Sequence, residues 1–166
     1  MTTQLLEQYI IDAERAFQHQ NYLDGKNYLE DALAIEPTWG KAHNHLGWLY
    51  LYQLADWEKA EQHLKLALKY AARYSAPYLH MAHLLFESHR FDELIALLQT
   101  AVHVPGVERS FVYNEYGRVH EVNGRYREAL KNYWLAFRWS LDEQEIQVIR
   151  DNIRRARQKR WSFLLG

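Results

Sequence analysis

The stretch HNHLGWLYLYQLADWEKAEQHLKLA, residues 43–67, contains the pattern that decides the fold. Its first half carries the small residue Gly47 three positions before the large Tyr50, and its second half carries Ala60 four positions before Leu64. Spacings of three and four residues place such positions on one stripe of a helix. The stretch therefore predicts two amphipathic helices that pack against each other across a polar turn.

The same pattern returns along the chain at a nearly constant interval. Alanines that open an apolar pair recur every 34 or 35 residues, at Ala32, Ala67, Ala101 and Ala136. The in-phase copy in residues 113–136 reads YNEYGRVHEVNGRYREALKNYWLA, and further copies begin at Tyr78 and, in the most degraded form, at Tyr9. A fixed period in this range predicts an array of one supersecondary unit.

Four consecutive copies in phase resemble the tetratricopeptide repeat (TPR) family over about residues 6–140. The residues that carry the resemblance, besides the alanines, are the small ones at Gly47, Ala82 and Gly117. The resemblance implies an all-α fold, a right-handed α-solenoid of helix-turn-helix (TPR) repeats. We expect one domain, residues 1–166, with repeats at about 6–39, 40–74, 75–109 and 110–140.

Local signals place the helix boundaries. Asn21 and Asp56 precede second helices and are good N-caps, because a short side-chain oxygen can accept from the first free amides. We expect eight helices of about 13 to 17 residues and no strand. Ser140 and Glu143 then fit a capping box that opens a ninth helix, at about 141–161. Its apolar stripe predicts a cap over the last repeat, and comprises Ile146, Ile149, Ile153 and Trp161.

Composition limits the classes of function. A formal net charge of −1 argues against a protein that coats nucleic acid, and the absence of cysteine excludes disulfides and thiolate metal sites. No apolar run approaches 18 residues and no basic leader is visible, so we expect a cytoplasmic protein without a membrane span. No catalytic triad, phosphate loop or dinucleotide motif is present, so we expect neither enzyme activity nor a cofactor.

The TPR resemblance also implies a concave groove lined by the first helix of each repeat. At the corresponding positions the chain is aromatic and rich in histidine rather than strongly charged. We expect the groove to hold a protein or peptide partner, with Trp48 directed into it because Trp48 follows the small Gly47. The candidate groove residues are Asn44, His45, Trp48, Tyr52, Leu79, His80, His83, Phe86, Asn114 and Arg118.

Histidines at this groove permit two interpretations. His45, His80 and His83 have the ligand number of an open zinc site if they converge. No metal-binding motif accompanies them, and groove histidines more often donate hydrogen bonds or stack, so we expect no metal. We also expect His45 and His80 to titrate near pH 6.5, the ordinary imidazole value.

The end of the predicted ninth helix is basic, with Arg150, Arg154, Arg155, Arg157, Lys159 and Arg160. Such a run is either a solvated face, favoured near a helix C-terminus, or a patch for an acidic partner, a membrane surface or a phosphate backbone. Residues 1–37 carry seven acids and two bases, whereas residues 141–166 carry four acids and six bases. This asymmetry favours head-to-tail association as a further possibility.

The sequence therefore predicts a protein–protein interaction module or adaptor that binds a partner segment in its groove. Three alternatives stay open at this stage. They are a secretion-type chaperone, a scaffold that self-assembles through the ends of the array, and an adaptor whose basic tail binds an anionic surface.

Overall fold

The computed structural model describes the backbone of residues 2–165 and the side chains of residues 2–162. Within that range the chain forms nine helices and no strand. The helices are α1 Thr2–Gln18, α2 Tyr22–Ile35, α3 Gly40–Tyr52, α4 Trp57–Tyr70, α5 Ala76–Glu87, α6 Phe91–Ala101, α7 Arg109–Val122, α8 Tyr126–Trp139 and α9 Glu143–Leu165. None of these helices is both long enough and apolar enough to cross a membrane.

Three helices differ in length from the expectation. α5 and α6 have 12 and 11 residues, because α5 starts only at Ala76, next to Pro77, and α6 ends four residues before Pro105. A proline favours the first turn of a helix and disfavours continuation of a preceding one. α9 is longer than expected, with 23 residues.

The chain packs as two compact units. The first unit ends at Leu84 and contains α1 to α4 with most of α5, and the second begins at Leu85 and contains α6 to α9. In unit 1, α1 packs on α2 and α3 on α4, while in unit 2 α7 packs on α8 and α8 on α9. Consecutive helices joined by short turns thus form helical hairpins in both units.

The small residues of the repeat permit close helix contacts. The four alanines that define the period are fully buried. A Cβ atom at Gly47 would lie 2.7 Å from the Leu64 side chain of α4, and one at Gly117 would overlap the Tyr133 ring of α8. Each of these two hairpins therefore excludes a larger residue at its crossing.

The turn inside each hairpin has one residue in the left-handed region, two positions before the second helix. These residues follow the repeat period, with φ of 59° at Gln20, 53° at Ala55, 56° at His89 and 72° at Gly124. The following N–H donates to a carbonyl five residues back, as the N–H of Arg90 does to Leu85. In the second turn the N–H of Asp56 donates to Tyr50, six residues back, because that turn contains one extra residue. The hydrogen bond to the carbonyl five residues back, with a left-handed residue before it, is the pattern of a helix C-cap that favours glycine.

The N-cap predictions have different outcomes. Asn21 accepts from the Asp24 amide and Asp56 accepts from the Lys59 amide, so both predictions are confirmed. Ser140 is not the cap of α9, because the Asp142 carboxylate accepts from the Glu145 amide at 2.8 Å. The Ser140 hydroxyl instead donates to the Glu145 side chain.

α9 covers an apolar face of α8. Ile149, Ile153 and Ala156 are buried and form one core cluster with Ala129, Tyr133 and Ala136. This packing supports the expected role as a cap. The prediction that Trp161 belongs to the buried stripe is wrong, because its side chain is 65% exposed.

Candidate partner-binding surfaces

A cleft of about 500 Å³ lies on unit 1 and is formed by α1, α3 and the start of α5. We call it the unit 1 cleft. Four of the predicted groove residues line it, namely Asn44, His45, Trp48 and His80. The other lining residues are Glu14, Phe17, Gln18, Tyr74 and Ala76.

A row of rings extends from the unit 1 cleft along α3 and α5. The Trp48 ring lies 5.3 Å from that of Phe17 and 6.3 Å from that of Tyr52, centroid to centroid. Tyr52 in turn lies 5.3 Å from His83 and 5.6 Å from His80. Trp48 is half-buried by these neighbours and still lines the cleft. The row therefore offers a preformed aromatic surface with little side-chain freedom left to lose on binding.

Asn44 lies in the cleft lining with unused hydrogen-bonding capacity. Its side chain is almost fully buried, and Oδ1 has no hydrogen-bond partner among the described residues. A buried acceptor without a partner costs free energy, about 1–3 kcal/mol. An N–H group from a bound chain would remove that cost.

The structure corrects the expected titration of the groove histidines. Burial, with smaller contributions from the neighbouring His45 and His83, lowers the pKa of His80 to about 4. Burial also lowers the pKa of His45, and this outweighs the opposing effect of the Glu14 carboxylate, which lies 3.5 Å from Nε2. Both imidazoles are therefore neutral at pH 7, so each has one donor and one acceptor nitrogen.

His45, His80 and His83 are near enough to one another to affect the same titration. Within the described residues, however, no group of three or more His, Asp or Glu side chains is placed to hold a metal ion. His80 Nδ1 lies instead 3.4 Å from the Tyr52 hydroxyl. The arrangement is that of a hydrogen-bonding and stacking surface.

Tyr52 and Leu79 are the most exposed of the predicted residues in unit 1, at 42% and 38%. Neither lines the unit 1 cleft, but Tyr52 belongs to the aromatic row beside it. In all, seven of the ten predicted residues lie in unit 1, and the other three, Phe86, Asn114 and Arg118, lie in unit 2.

The three residues in unit 2 line a second cleft of about 410 Å³, between α7 and α9. They are already engaged by their own chain. The Arg118 guanidinium lies 3.7 Å from the centroid of the Phe86 ring and donates to Glu115 at 2.9 Å. The Asn114 Oδ1 accepts from Asn152 of α9 at 2.9 Å. In this unit, α9 occupies the Asn114 oxygen, which the sequence assigned to a partner.

Sequence reasoning missed a buried carboxylate in the same cleft that pairs with two half-exposed bases. The Glu121 carboxylate accepts from Arg155 at 2.7 and 2.8 Å and from the Tyr133 hydroxyl at 2.7 Å, and lies 2.9 Å from Lys159 Nζ. Burial acts to raise the pKa of Glu121, but hydrogen bonds from Arg155, Tyr133 and Lys159 outweigh it and hold the pKa at about 2. The signal available in the sequence was the pair of bases Arg155 and Lys159, which are four residues apart and so share one helix face.

The six basic residues of α9 do not share one surface. Arg155 and Lys159 face Glu121. Arg150 and Arg157 lie over the rings of Phe137 and Trp134, each 5.6 Å from the centroid. Arg154 pairs with Asp151 at 2.5 Å, and Arg160 is half-buried.

Comparison with known proteins gives structural similarity only. No protein-family model and no curated protein matches the sequence. PilF of Pseudomonas aeruginosa has a TM-score of 0.76 and 21% identity, with 99% of this chain and 78% of that one covered. PilW, described as a widely conserved type IV pilus biogenesis factor, gives 0.74 and 16%, covering 98% and 79%. A thermophilic TPR protein of Thermus thermophilus gives 0.65 and 17%, covering 85% and 77%.

These similarities show the fold. The chain has the all-α, α-solenoid fold of TPR proteins, as the period of its alanines predicts.

Proposed function

We propose that the chain is a protein–protein interaction module whose unit 1 cleft holds a segment of a partner protein. The observation that carries this proposal is the aromatic row of Phe17, Trp48 and Tyr52 beside the unpartnered Asn44 oxygen. Large, rigid rings supply most of the binding energy at protein interfaces, and a buried acceptor fixes the register of a bound backbone.

The electrostatics of the cleft define the partner segment. His45 and His80 are neutral, and Glu14 is the single charged residue among the lining residues that the structure describes. Strong charge complementarity is therefore not the basis of recognition here. The segment that fits has apolar or aromatic side chains for the rings and a backbone or side-chain N–H for Asn44.

A selection experiment tests this proposal. A phage-displayed library of random peptides is selected on the full chain, and the enriched peptides are measured on variants by calorimetry. Trp48→Ala should weaken binding by about 2 kcal/mol, some thirtyfold, and Asn44→Ala should weaken it less. The matched control is Trp57→Ala, since Trp57 is an exposed tryptophan on α4 outside the cleft.

Melting temperatures separate an anchor from a packing residue. Trp48→Ala should retain a cooperative melt close to that of the parent. If the enriched peptides bind Trp48→Ala and the parent equally, the cleft is not the binding site. If Trp48→Ala unfolds the chain and binding falls only with the folded fraction, Trp48 is a core residue and the proposal fails.

A self-assembling scaffold is the competing function. The charge asymmetry between residues 1–37 and 141–166 favours it, since opposite charges on two ends steer head-to-tail contacts. Light scattering over a range of protein and salt concentrations distinguishes the two. A mass that stays at 19.9 kDa rules out the scaffold, whereas a mass that rises with concentration and falls with salt supports it.

A further inference from the structure

The outer surface of α8 and α9 carries a third cleft, of about 680 Å³. We call it the aromatic–arginine cleft. It is separate from the groove positions of the repeat, because its residues come from the second helix of the last hairpin and from the cap. The side chains that characterise it are Trp134, Phe137, Trp161, Arg150, Arg154 and Arg157.

Two arginines of the cleft lie over aromatic rings and pair with no acid among the described residues. Arg157 lies over Trp134 and Arg150 over Phe137, and the two rings meet edge to face at 5.6 Å. Among the described residues, neither arginine forms an ion pair. At this distance the cation–π contact leaves guanidinium N–H groups available, and these can bind a carboxylate in a bidentate manner.

The surroundings of the cleft are mostly basic; the acids near its arginines are Asp151, which pairs with Arg154, and Asp142 and Glu143, which line a neighbouring pocket with Arg150. From residue 150 to residue 160, α9 contains six bases and one acid, and only Arg155 and Lys159 face the buried Glu121. On α8, the bases at 127, 131 and 138 are seven, three and four residues from Trp134 and so lie on the same side of the helix. No acidic side chain is among the described residues that line the cleft.

The cleft is also apolar. Trp134 and Trp161 are 43% and 65% exposed, and the buried Ile153 contributes to the lining beside them. An exposed apolar surface with a polar rim is typical of an interaction site. The ligand that satisfies both properties is anionic at its edges and apolar in its middle.

We propose that the aromatic–arginine cleft docks an acidic segment of a partner protein, with one apolar or aromatic side chain flanked by Asp or Glu. Arg150 and Arg157 are seven residues apart on one helix, about 10 Å, the length of some three residues of extended chain. A short concave cleft suits such a segment. A bilayer contacts a protruding apolar face instead, and single-stranded nucleic acid requires a longer positive groove that follows its backbone.

A fluorescence anisotropy titration of the full chain tests the proposal. The probe is a labelled peptide, Glu-Glu-Glu-Glu-Phe-Glu-Glu-Glu-Glu with blocked termini, and the reference peptide has Gln in place of every Glu. We expect saturable binding of the acidic peptide and binding at least about tenfold weaker for the Gln peptide.

Matched variants locate the site. Arg150→Glu with Arg157→Glu should reduce affinity by about tenfold or more, whereas Arg73→Glu, an exposed base in unit 1, should leave it unchanged. Trp161→Ala should also weaken binding without a change in melting temperature, because its exposed ring is not part of the core.

Several outcomes overturn the proposal. The first is the absence of saturable binding up to about 1 mM peptide. The second is equal affinity of the charge-reversed variant and the parent for the acidic peptide. The third is tighter binding of the same arginines to phosphatidylglycerol-containing vesicles or to a poly-dT oligonucleotide than to the acidic peptide. Binding that follows Trp48→Ala instead of Trp161→Ala assigns the peptide to the unit 1 cleft, so the two proposals fail separately.

Discussion

Replacement of Glu121 by alanine should release α9 from the hairpin that it covers. The substitution removes a buried carboxylate that accepts from Arg155 and Tyr133 and pairs with Lys159. The Arg155 and Lys159 side chains are 47% and 48% exposed and can be rehydrated. The free-energy cost of breaking their contacts with Glu121 is therefore moderate. The buried Tyr133 hydroxyl loses its acceptor outright, which costs about 1–3 kcal/mol. With the ion pair included, we expect a destabilisation of about 3–4 kcal/mol.

The assay is thermal and urea unfolding followed by circular dichroism. For a chain of this length the expected loss corresponds to a fall in melting temperature of about 10 °C. Glu108→Ala is the control, because Glu108 is an exposed acid whose side chain makes no capping hydrogen bond. Tyr133→Phe should cost about 1 kcal/mol, since it removes the hydroxyl and leaves the ion pair.

The pH dependence of unfolding gives an independent measurement. The pKa of Glu121 is about 2 in the folded chain, below its ordinary value of 4.5. The unfolded state therefore binds more protons in that interval, so the stabilisation is complete above pH 4.5 and is lost as the pH falls toward 2. Glu121→Ala should lack this component. A variant that melts like Glu108→Ala and keeps the parent's acid profile would refute the assignment of Glu121 as the anchor of α9.

Further substitutions test the hairpins themselves. Ala55→Gly should stabilise the chain by about 0.5–1 kcal/mol, because Ala55 has a left-handed φ of 53°, whereas Gly124→Ala should destabilise it by a similar amount; chemical denaturation measures both. Gly47→Leu should cost about 1–3 kcal/mol or more, since even a Cβ atom there approaches the α4 side chain to 2.7 Å, and an unchanged melting temperature would contradict the phase of the repeat. Burial and the neighbouring His43 lower the pKa of His63 to about 4. The free energy of unfolding should therefore fall by at most about 3 kcal/mol as the pH is lowered from 6.5 to 4, and His63→Gln should flatten that part of the profile.

The fold was predictable because burial repeats with the sequence. The alanine that recurs every 34 or 35 residues is fully buried in every hairpin. The same small residue type therefore marks the same buried position in each copy. The left-handed turn residues follow the same period, but Gln20, Ala55 and His89 are not residue types that favour such a conformation as glycine does. Hairpin geometry imposes the left-handed conformation on these three residues against their intrinsic preference. Of the four turn residues, only Gly124 has a residue type that predicts this conformation from the sequence.

The candidate site was predictable in part. Repeat phase alone brought Trp48, His45 and His80 to one cleft. The neutral state of the two histidines depends on how deeply neighbouring side chains bury them, which periodicity does not specify. Asn114 was predicted to meet a partner and meets Asn152 instead, because the length and direction of the cap cannot be read from the spacing of the repeats.

The distribution of charge around α9 separates stability from binding. Ile149 and Ile153 pack on α8, Arg155 faces Glu121, and Arg150 and Arg157 lie on the outer side over aromatic rings. Since helical residues seven apart share a face, the outer arginines can be reversed in charge without a change in the buried contacts. Substitutions at Glu121 should therefore alter melting first, whereas substitutions at Arg150 and Arg157 should alter peptide binding with only a small fall in melting temperature, from the loss of two exposed cation–π contacts. A cap arranged in this way covers the apolar face of α8 and leaves its outer arginines available for the acidic segment that we propose.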